Sequence, residues 1–392
     1  MAEAYIVDAV RTAGGRRDGR LSQVHPADLG AKAIDAILER TGIDPGVVDD
    51  VIYGCVTQIG AQTFNLARTS ILASQLPVSV PGVTVDRQCG SGQQAVHFAA
   101  QAIMSGNQDV IIAGGAENMS MAPIGSSYTV PRKAGMAGPF DSKAIQERYP
   151  GSTFSQFEGA EKVAKKYGVT RQELDDFAYQ SHVKGAAAYK GGHFEAEIIP
   201  MEVTIEGQSV EHKIDEGLRF EPVLEKIQGL QPLVEGGVIT AASSSQICDG
   251  SAAVLLVSEK ALKAYGLKPL AKIKDMAVCG SDPTMVLEGP IPCTEKILKQ
   301  SGMSMADMTI YEVNEAFGSV PLAWTKALGA NLELLNVNGG AQALGHPLGA
   351  TGAKLIGTLV HELRRREGQF GLLAICEGLG TANATIVEAI YD

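Results

Sequence analysis

Cysteine thiols can act as nucleophiles, and two of the six in this chain stand where that chemistry is plausible. Cys89 lies in DRQCGSGQQA, Asp86 to Ala95, at the expected start of a helix and beside Gly90 and Gly92, which let a ligand approach the backbone. Exposed N–H groups and the positive end of the helix dipole would stabilise a thiolate there, or bind an oxyanion. The plainer reading, a buried small hydrophobe, stays open for any free cysteine. Cys376, in AICEGLGTANA, precedes Gly378 and Gly380 at a strand's end. It reads either as a thiol that exchanges protons with a substrate or as a buried cysteine before a turn.

His346 is cradled by glycines in NVNGGAQALGHPLGATGAK, Asn336 to Lys354, with Pro347 restricting the backbone and a helix expected just beyond. It can serve as base for a thiol or as a donor to a substrate oxygen. The run is not a P-loop, because no GKS or GKT follows. In EVNEAFG, Glu312 to Gly318, Asn314 and Glu315 directly follow a strand. On local grounds Asn314 reads first as a helix N-cap.

The elements that must hold these residues alternate between short β-branched runs and longer helical ones. Ala4 to Val10 and Asp50 to Val56 read as strands around a helix at Asp28 to Arg40; a helix at Gln93 to Met104 and a strand at Asp109 to Ala113 follow. This is α/β grammar, in which ligands bind at strand ends. The order recurs. A helix ending near Gly42 leads to VVDDVIYGCV, and one ending near Gly302 leads to MADMTIYEV. Cys89 lies 36 residues beyond Tyr53, and His346 lies 35 beyond Tyr311. Any α/β protein repeats such units, but matching order and spacing across three elements favour a duplicated fold.

From about Glu117 to Ser244 the rhythm breaks. This stretch holds turns at Pro123 to Gly138, helices near Ala160 to Tyr167 and Arg171 to Lys190, and irregular charged sequence from Glu195 to Arg219. A loop that long is improbable without structure, so it reads as an inserted lobe. Gly250 to Ser258 then reads as a buried strand returning to the first half.

With 392 residues, 45% apolar and 20% charged, the chain has room for two core-forming units. Its net charge of −11 argues against a nucleic-acid partner. Met1 to Val10 lacks the pattern of a secretory signal, and no apolar run approaches the roughly 20 residues that span a bilayer. Cysteines 55, 89, 248, 279, 293 and 376 form no CxxC pair, so a disulfide framework or zinc site is not expected; a reducing cytoplasm is.

Taken together, the QCGSG, NEAF, GHP and CEG segments resemble the thiolase family, and the likeness runs from YIVDAVRTAGG to CEGLGTANATIVE. The resemblance implies a five-layer α-β-α-β-α fold from two duplicated βαβαβαββ halves. Residues 1–118 with 245–268 would form the first half, 119–244 the inserted CoA-binding lobe and 269–392 the second half. It implies an acyltransferase that cleaves 3-oxoacyl-CoA with CoA as co-substrate, without a metal or tightly bound cofactor, in a homodimer or homotetramer. Cys89 would be acylated, His346 would activate it, and Cys376 would be the acid/base. Asn314 would position a water for one oxyanion hole, and the N–H groups of Cys89 and Gly378 would form the other. Ser245 matches the serine near the pantetheine arm, and Arg219 the arginine beside the CoA adenine. A basic patch for the CoA phosphates is expected from Arg132, Lys133, Lys162, Lys165, Lys166, Lys213 and Arg219.

The departures concern substrate. Leu379 stands where the family often has glycine, Glu377 where it has isoleucine or valine, and Gln342 where it has isoleucine. SQFEGAEKVA, Ser155 to Ala164, lacks the Met-Gly step of the acetoacetyl-specific members. DRQCGSGQQA with CEG looks more like the bacterial degradative and steroid-catabolic branch than the biosynthetic one, hence thiolysis of a medium, branched or cyclic 3-oxoacyl-CoA is expected. A biosynthetic acetoacetyl-CoA thiolase, a ketoacyl synthase, a non-catalytic acyl-CoA binder and a cysteine hydrolase are the competing readings.

Overall fold

Among residues 2–391, which the computed structural model describes, apolar strands are buried almost end to end and pack on both faces. The first half runs β1 (Ala4–Thr12), β2 (Gly15–Arg16), α1 (Pro26–Thr41), β3 (Asp50–Gly54), α2 (Leu66–Ala73), β4 (Gly82–Val85), α3 (Ser91–Met104) and β5 (Val110–Asn118). Helix α1 starts on Pro26, whose fixed φ suits the first turn, and stops at Gly42 with φ 65°.

The lobe follows with α4 (Ser126–Lys133), α5 (Lys143–Arg148), α6 (Gln156–Lys166), α7 (Arg171–Lys190), β6 (Ile198–Ile199), β7 (Met201–Ile205), β8 (Gln208–His212) and α8 (Leu224–Gln228). Two readings are corrected here. Pro123 to Gly138 is not turns alone, since α4 forms across Pro131. The charged stretch from Glu195 holds a β7–β8 hairpin, in register from Met201↔His212 to Ile205↔Gln208.

The chain returns through β9 (Cys248–Ser258) and α9 (Glu259–Tyr265). It then builds β10 (Ala271–Gly280), α10 (Pro290–Ser301), β11 (Ile310–Val313), α11 (Ser319–Leu328), α12 (Ala341–Leu344), α13 (Thr351–Arg365), β12 (Phe370–Glu377) and β13 (Thr381–Ala389).

The strand order β11-β12-β13-β10-β1-β9-β5-β3-β4 displays the duplication. In each half a parallel pair (β3 with β5, β11 with β12) is followed by two antiparallel neighbours. The halves meet edge to edge where β1 and β10 share only Tyr5↔Lys272 and Ile6↔Ala271. From that narrow seam the two half-sheets enclose α3 and α13, which pack on each other and on strands of both halves. Helices α1 and α2 cover the outer face of the first half-sheet, and α10 and α11 that of the second. The result is the five-layer arrangement, with one apolar core between the sheets and one on each outer face. Among the described residues no helix is long and apolar enough to cross a membrane.

Candidate active site

Cys89 sits in the turn between β4 and α3. Gln88 adopts a left-handed φ of 47°, unusual for a residue with a side chain. The turn is held locally. Asp86 Oδ1 accepts from the Gln88 N–H at 2.7 Å, and Ser91 Oγ accepts from the Arg87 N–H at 2.9 Å while donating to the Gln88 carbonyl at 2.6 Å. Gly90 caps α3 without a side chain. Burial, then the nearby Glu377 carboxyl, push the Cys89 thiol up to about 12, while its own backbone N–H acts the other way. The helix dipole that favoured a thiolate on paper is therefore outweighed by desolvation in the resting site.

The glycine loop ahead of α13 places His346 against the same region. A side chain on Gly92 would meet the Gly349 carbonyl at 2.7 Å, and one on Gly352 would meet the Gln93 nitrogen at 2.0 Å. Gly54 and Gly115 close on that same Gly349 carbonyl. Two helix starts thus touch backbone to backbone, which only glycine permits. His346 is buried, and its Nδ1 lies 2.6 Å from Thr351 Oγ1, which in turn donates to the Pro347 carbonyl at 3.0 Å. With that hydroxyl proton spent, Nδ1–H is the donor and Nε2 carries the lone pair. Nε2 lies 3.3 Å from Asn314 Nδ2. Burial, then Lys354, push the imidazole down to about 3, so it is neutral at physiological pH.

Asn314 and Cys376 emerge at the carboxyl ends of the neighbouring parallel strands β11 and β12. The N-cap reading of Asn314 is corrected: α11 begins at Ser319 behind Gly318, while Asn314 is buried and turned to His346. Burial, then Cys89, then Glu377 hold the Cys376 thiol well above its ordinary value, so the two sulfurs share one electrostatic neighbourhood. Gly378 packs against the Gln88 side chain, which brings it to the Cys89 turn.

Ser245 is half-buried on a loop stitched to both partners. Its N–H donates to the Ala316 carbonyl at 2.9 Å, and the next residue's carbonyl accepts from the His346 N–H at 3.2 Å. Arg219 is exposed on the lobe, with its backbone N–H on His182 Nδ1 at 3.2 Å. Within the expected basic patch Arg132 pairs with Asp141, Lys166 with Glu288 and Lys213 with Glu211, all on the surface where such pairs are weak. Their acidic partners are distant or unremarkable in sequence.

Three residues of the site went unread. Glu117, fully buried at the end of β5, accepts from the N–H groups of Val56, Thr57 and Gly349, each at 2.9 Å, and from Gln62 at 2.8 Å. It clamps the crossing from below; a lone carboxylate ending an apolar strand was the available signal. Thr351 fixes the His346 tautomer. Glu315 holds the glycine loop by accepting from Ser181 Oγ at 2.8 Å, Asn336 Nδ2 at 2.9 Å and the Gln342 N–H at 3.0 Å. Polarity after a strand was noted there, but not what it would hold.

Family models described as "Thiolase, N-terminal domain" and "Thiolase, C-terminal domain" match residues 4–260 and 267–389. The chain is 52% identical over 391 residues to the steroid 3-ketoacyl-CoA thiolase FadA6 of Mycobacterium tuberculosis, covering 100% of this chain and 95% of that one. It is 41% identical over 399 residues to the 3-ketoacyl-CoA thiolase of Bacillus subtilis, covering 99% and 100%. Human mitochondrial 3-ketoacyl-CoA thiolase superposes with a TM-score of 0.90 at 36% identity, covering 99% of each chain. The Bacillus anthracis acetyl-CoA acetyltransferase does so with 0.90 at 35%, covering 100% and 99%.

Proposed function

The chain belongs to the thiolase family, and from its site we infer that it cleaves a 3-oxoacyl-CoA with CoA, giving acetyl-CoA and a shortened acyl-CoA. One observation carries the assignment of residues: the helix starts bearing Cys89 and His346 cross in backbone contact beside the strand ends bearing Asn314 and Cys376.

The resting site holds a neutral thiol, a neutral imidazole and a protonated second thiol. That combination suits the first step. His346 Nε2 takes the Cys89 proton as Sγ attacks the 3-oxo carbon. The C2–C3 bond then breaks, leaving the acyl group on Cys89 and an acetyl-CoA enolate. Cys376, still protonated, supplies the proton to the enolate carbon and becomes a thiolate. It next deprotonates free CoA, whose sulfur takes the acyl group from Cys89; Cys89 leaves as a thiolate and recovers its proton from His346. The N–H groups of Cys89 and Gly378 receive the oxyanion of the first carbonyl; His346 and a water on Asn314 receive the enolate oxygen. Arg219 and Ser245 serve CoA, at the adenine and the pantetheine arm. Reduced thiols at both positions call for a cytoplasmic setting.

The similarity to a steroid thiolase, with the missing Met-Gly step, supports a bulky ring-derived acyl group and a role in lipid or steroid degradation. The unpaired edge of β4 lies close in sequence to exposed Phe64, Leu72, Val78 and Val83, and Phe98 of central helix α3 is 41% exposed. A free edge with apolar flanks supports a homodimer; V83K should raise the fraction of monomer in sedimentation, and an unchanged profile would move the interface elsewhere.

Mass spectrometry after mixing with acetoacetyl-CoA tests the chemistry. A 42-dalton acetyl adduct, of about that size, on Cys89 that CoA discharges is the expected result; an unmodified protein that still binds CoA would make it a carrier. Thiolysis rates across short-chain, long-chain and steroid-derived 3-oxoacyl-CoAs then fix the acyl group.

A further inference from the structure

Glu377 is a carboxyl group without solvent whose charge would act on both reacting thiols. It ends β12 directly after Cys376 and is fully buried. Its carboxyl fills the space beside Gly90: a methyl group on residue 90 would come within 1.8 Å of Oε1. Oε2 accepts from Thr381 Oγ1 at 2.7 Å, whereas Oε1 has no partner among the described residues. A buried carboxylate ordinarily needs several donors, as Glu117 has at the end of β5. Glu377 has one. The facing charged and titratable groups are Arg87 and Asp86 from the turn before α3, Cys89 on that turn, Cys376 on β12, Cys279 on β10 and Cys293 on α10. Arg87 alone is cationic. Its Nε is itself buried and unpartnered, so it makes no hydrogen bond to the carboxyl through that atom.

We propose that Glu377 is a positioning residue for the thiol pair: its carboxyl is protonated when Cys89 attacks, and its ionisation closes the alkaline side of the enzyme's working range. A neutral Glu377 leaves Cys89 free to become a thiolate with only His346 to balance it. An ionised one sets a negative charge against both sulfurs and withholds them from chemistry. Burial, opposed by the Thr381 hydrogen bond and Arg87, pushes the group up to about 8, which agrees with the geometry. The inference rests on Cys89 and Cys376 being the reacting thiols.

Alkylation by iodoacetamide tests it without substrate or CoA: the Cys89 sulfur displaces iodide, and its proton goes to buffer. In the wild-type protein the rate of Cys89 modification should rise with thiolate fraction up to about pH 8 and then flatten, as each further unit of ionisation opposes the next. Glu377→Gln keeps the shape without the charge. Its rate should match the wild type within about twofold at pH 6.5 and exceed it about tenfold at pH 9.5. Thr381→Val removes a bond that stabilises the ionised form, so its flattening should begin at higher pH than in the wild type. If E377Q fails to fold, as judged by circular dichroism, the T381V profile decides. Parallel pH profiles for wild type and the folded variants would overturn the proposal. Failure of the acetyl adduct on Cys89 would instead overturn the catalytic assignment, so the two outcomes are distinguishable.

Discussion

His346 Nδ1 and Thr351 Oγ1 stand 2.6 Å apart, and the hydroxyl directs its hydrogen bond to the Pro347 carbonyl. That one choice leaves the lone pair on Nε2, with the Asn314 amide 3.3 Å away. Neither nitrogen is labelled in sequence, and Thr351 lies five residues past the histidine, off any helical repeat. The spacing of the glycines revealed that His346 was constrained, but not which atom it presented. Thr351→Val keeps the shape while removing the acceptor, so the imidazole loses its tautomer preference and its anchor. The expected result is a fall in kcat of about ten- to hundredfold with a small change in KM, since general-base catalysis contributes roughly 10²–10⁴. A kcat within twofold of wild type in a thiolysis assay would show that the backbone loop alone orients the ring.

The lobe helix α7 was legible because its apolar content and its cap are local. Arg171–Lys190 falls where the sequence places it, and its Thr170/Glu173 capping box shows why. The repeat of Tyr53 in β3 and Tyr311 in β11 likewise reflects real equivalents, each paired in parallel with the next strand of its half-sheet. The crossing of α3 and α13 was not legible. Gly92 and Gly352 lie 260 positions apart, and nothing local says that they touch; a glycine beside a reactive residue reads as ligand access when its task is to admit another backbone. The β7–β8 hairpin went unread although β7 alternates buried Met201 and Val203 with exposed Glu202 and Thr204, because it is short and its partner β8 is mostly exposed. Gly352→Ala tests the crossing. Its methyl group would sit 2.0 Å from the Gln93 nitrogen, and backbone cannot step aside as a flexible side chain can. Overpacking of this kind costs about 1–3 kcal/mol, read as a lower urea midpoint, and the parting of Cys89 from His346 should lower kcat as well. Unchanged stability and turnover would mean that the helices have slack at this point.

The lobe is fastened to the first half by an ion cluster that the sequence scatters over about 200 residues. Arg11 on β1 donates through Nε to Glu197 at 2.6 Å and through its two terminal nitrogens to Asp215 at 2.8 and 3.1 Å, with all three side chains buried. The Asp215 carboxylate also accepts from the Gly14 N–H at 2.6 Å and Tyr189 Oη at 2.8 Å, and Glu197 from Thr358 Oγ1 at 3.0 Å. The guanidinium lies 5.1 Å from the Phe194 ring centroid. One cation therefore joins β1, α7, α13 and the segment that continues to Arg219. Its ordinary strength in exchange for hydrophobic residues is small, because desolvation consumes most of the attraction. Its removal is another matter. Arg11→Met leaves two buried carboxylates with only Lys354 of α13 as a nearby cation, and breaking such a pair costs about 3–5 kcal/mol. The loss should be felt first where the lobe depends on it: amide exchange across 195–219 should quicken before that of β5 or β12, and the apparent KM for CoA should rise with Arg219 no longer held. Acetyl-adduct formation on Cys89 should persist, because the α3–α13 crossing is built without Arg11. In R11M/D215N/E197Q the two carboxylates are neutral and part of the stability should return, less what buried Lys354 loses with them. A folded R11M with native exchange across 195–219 and a native KM for CoA would show that the hairpin and α7, rather than this cluster, set the lobe in place.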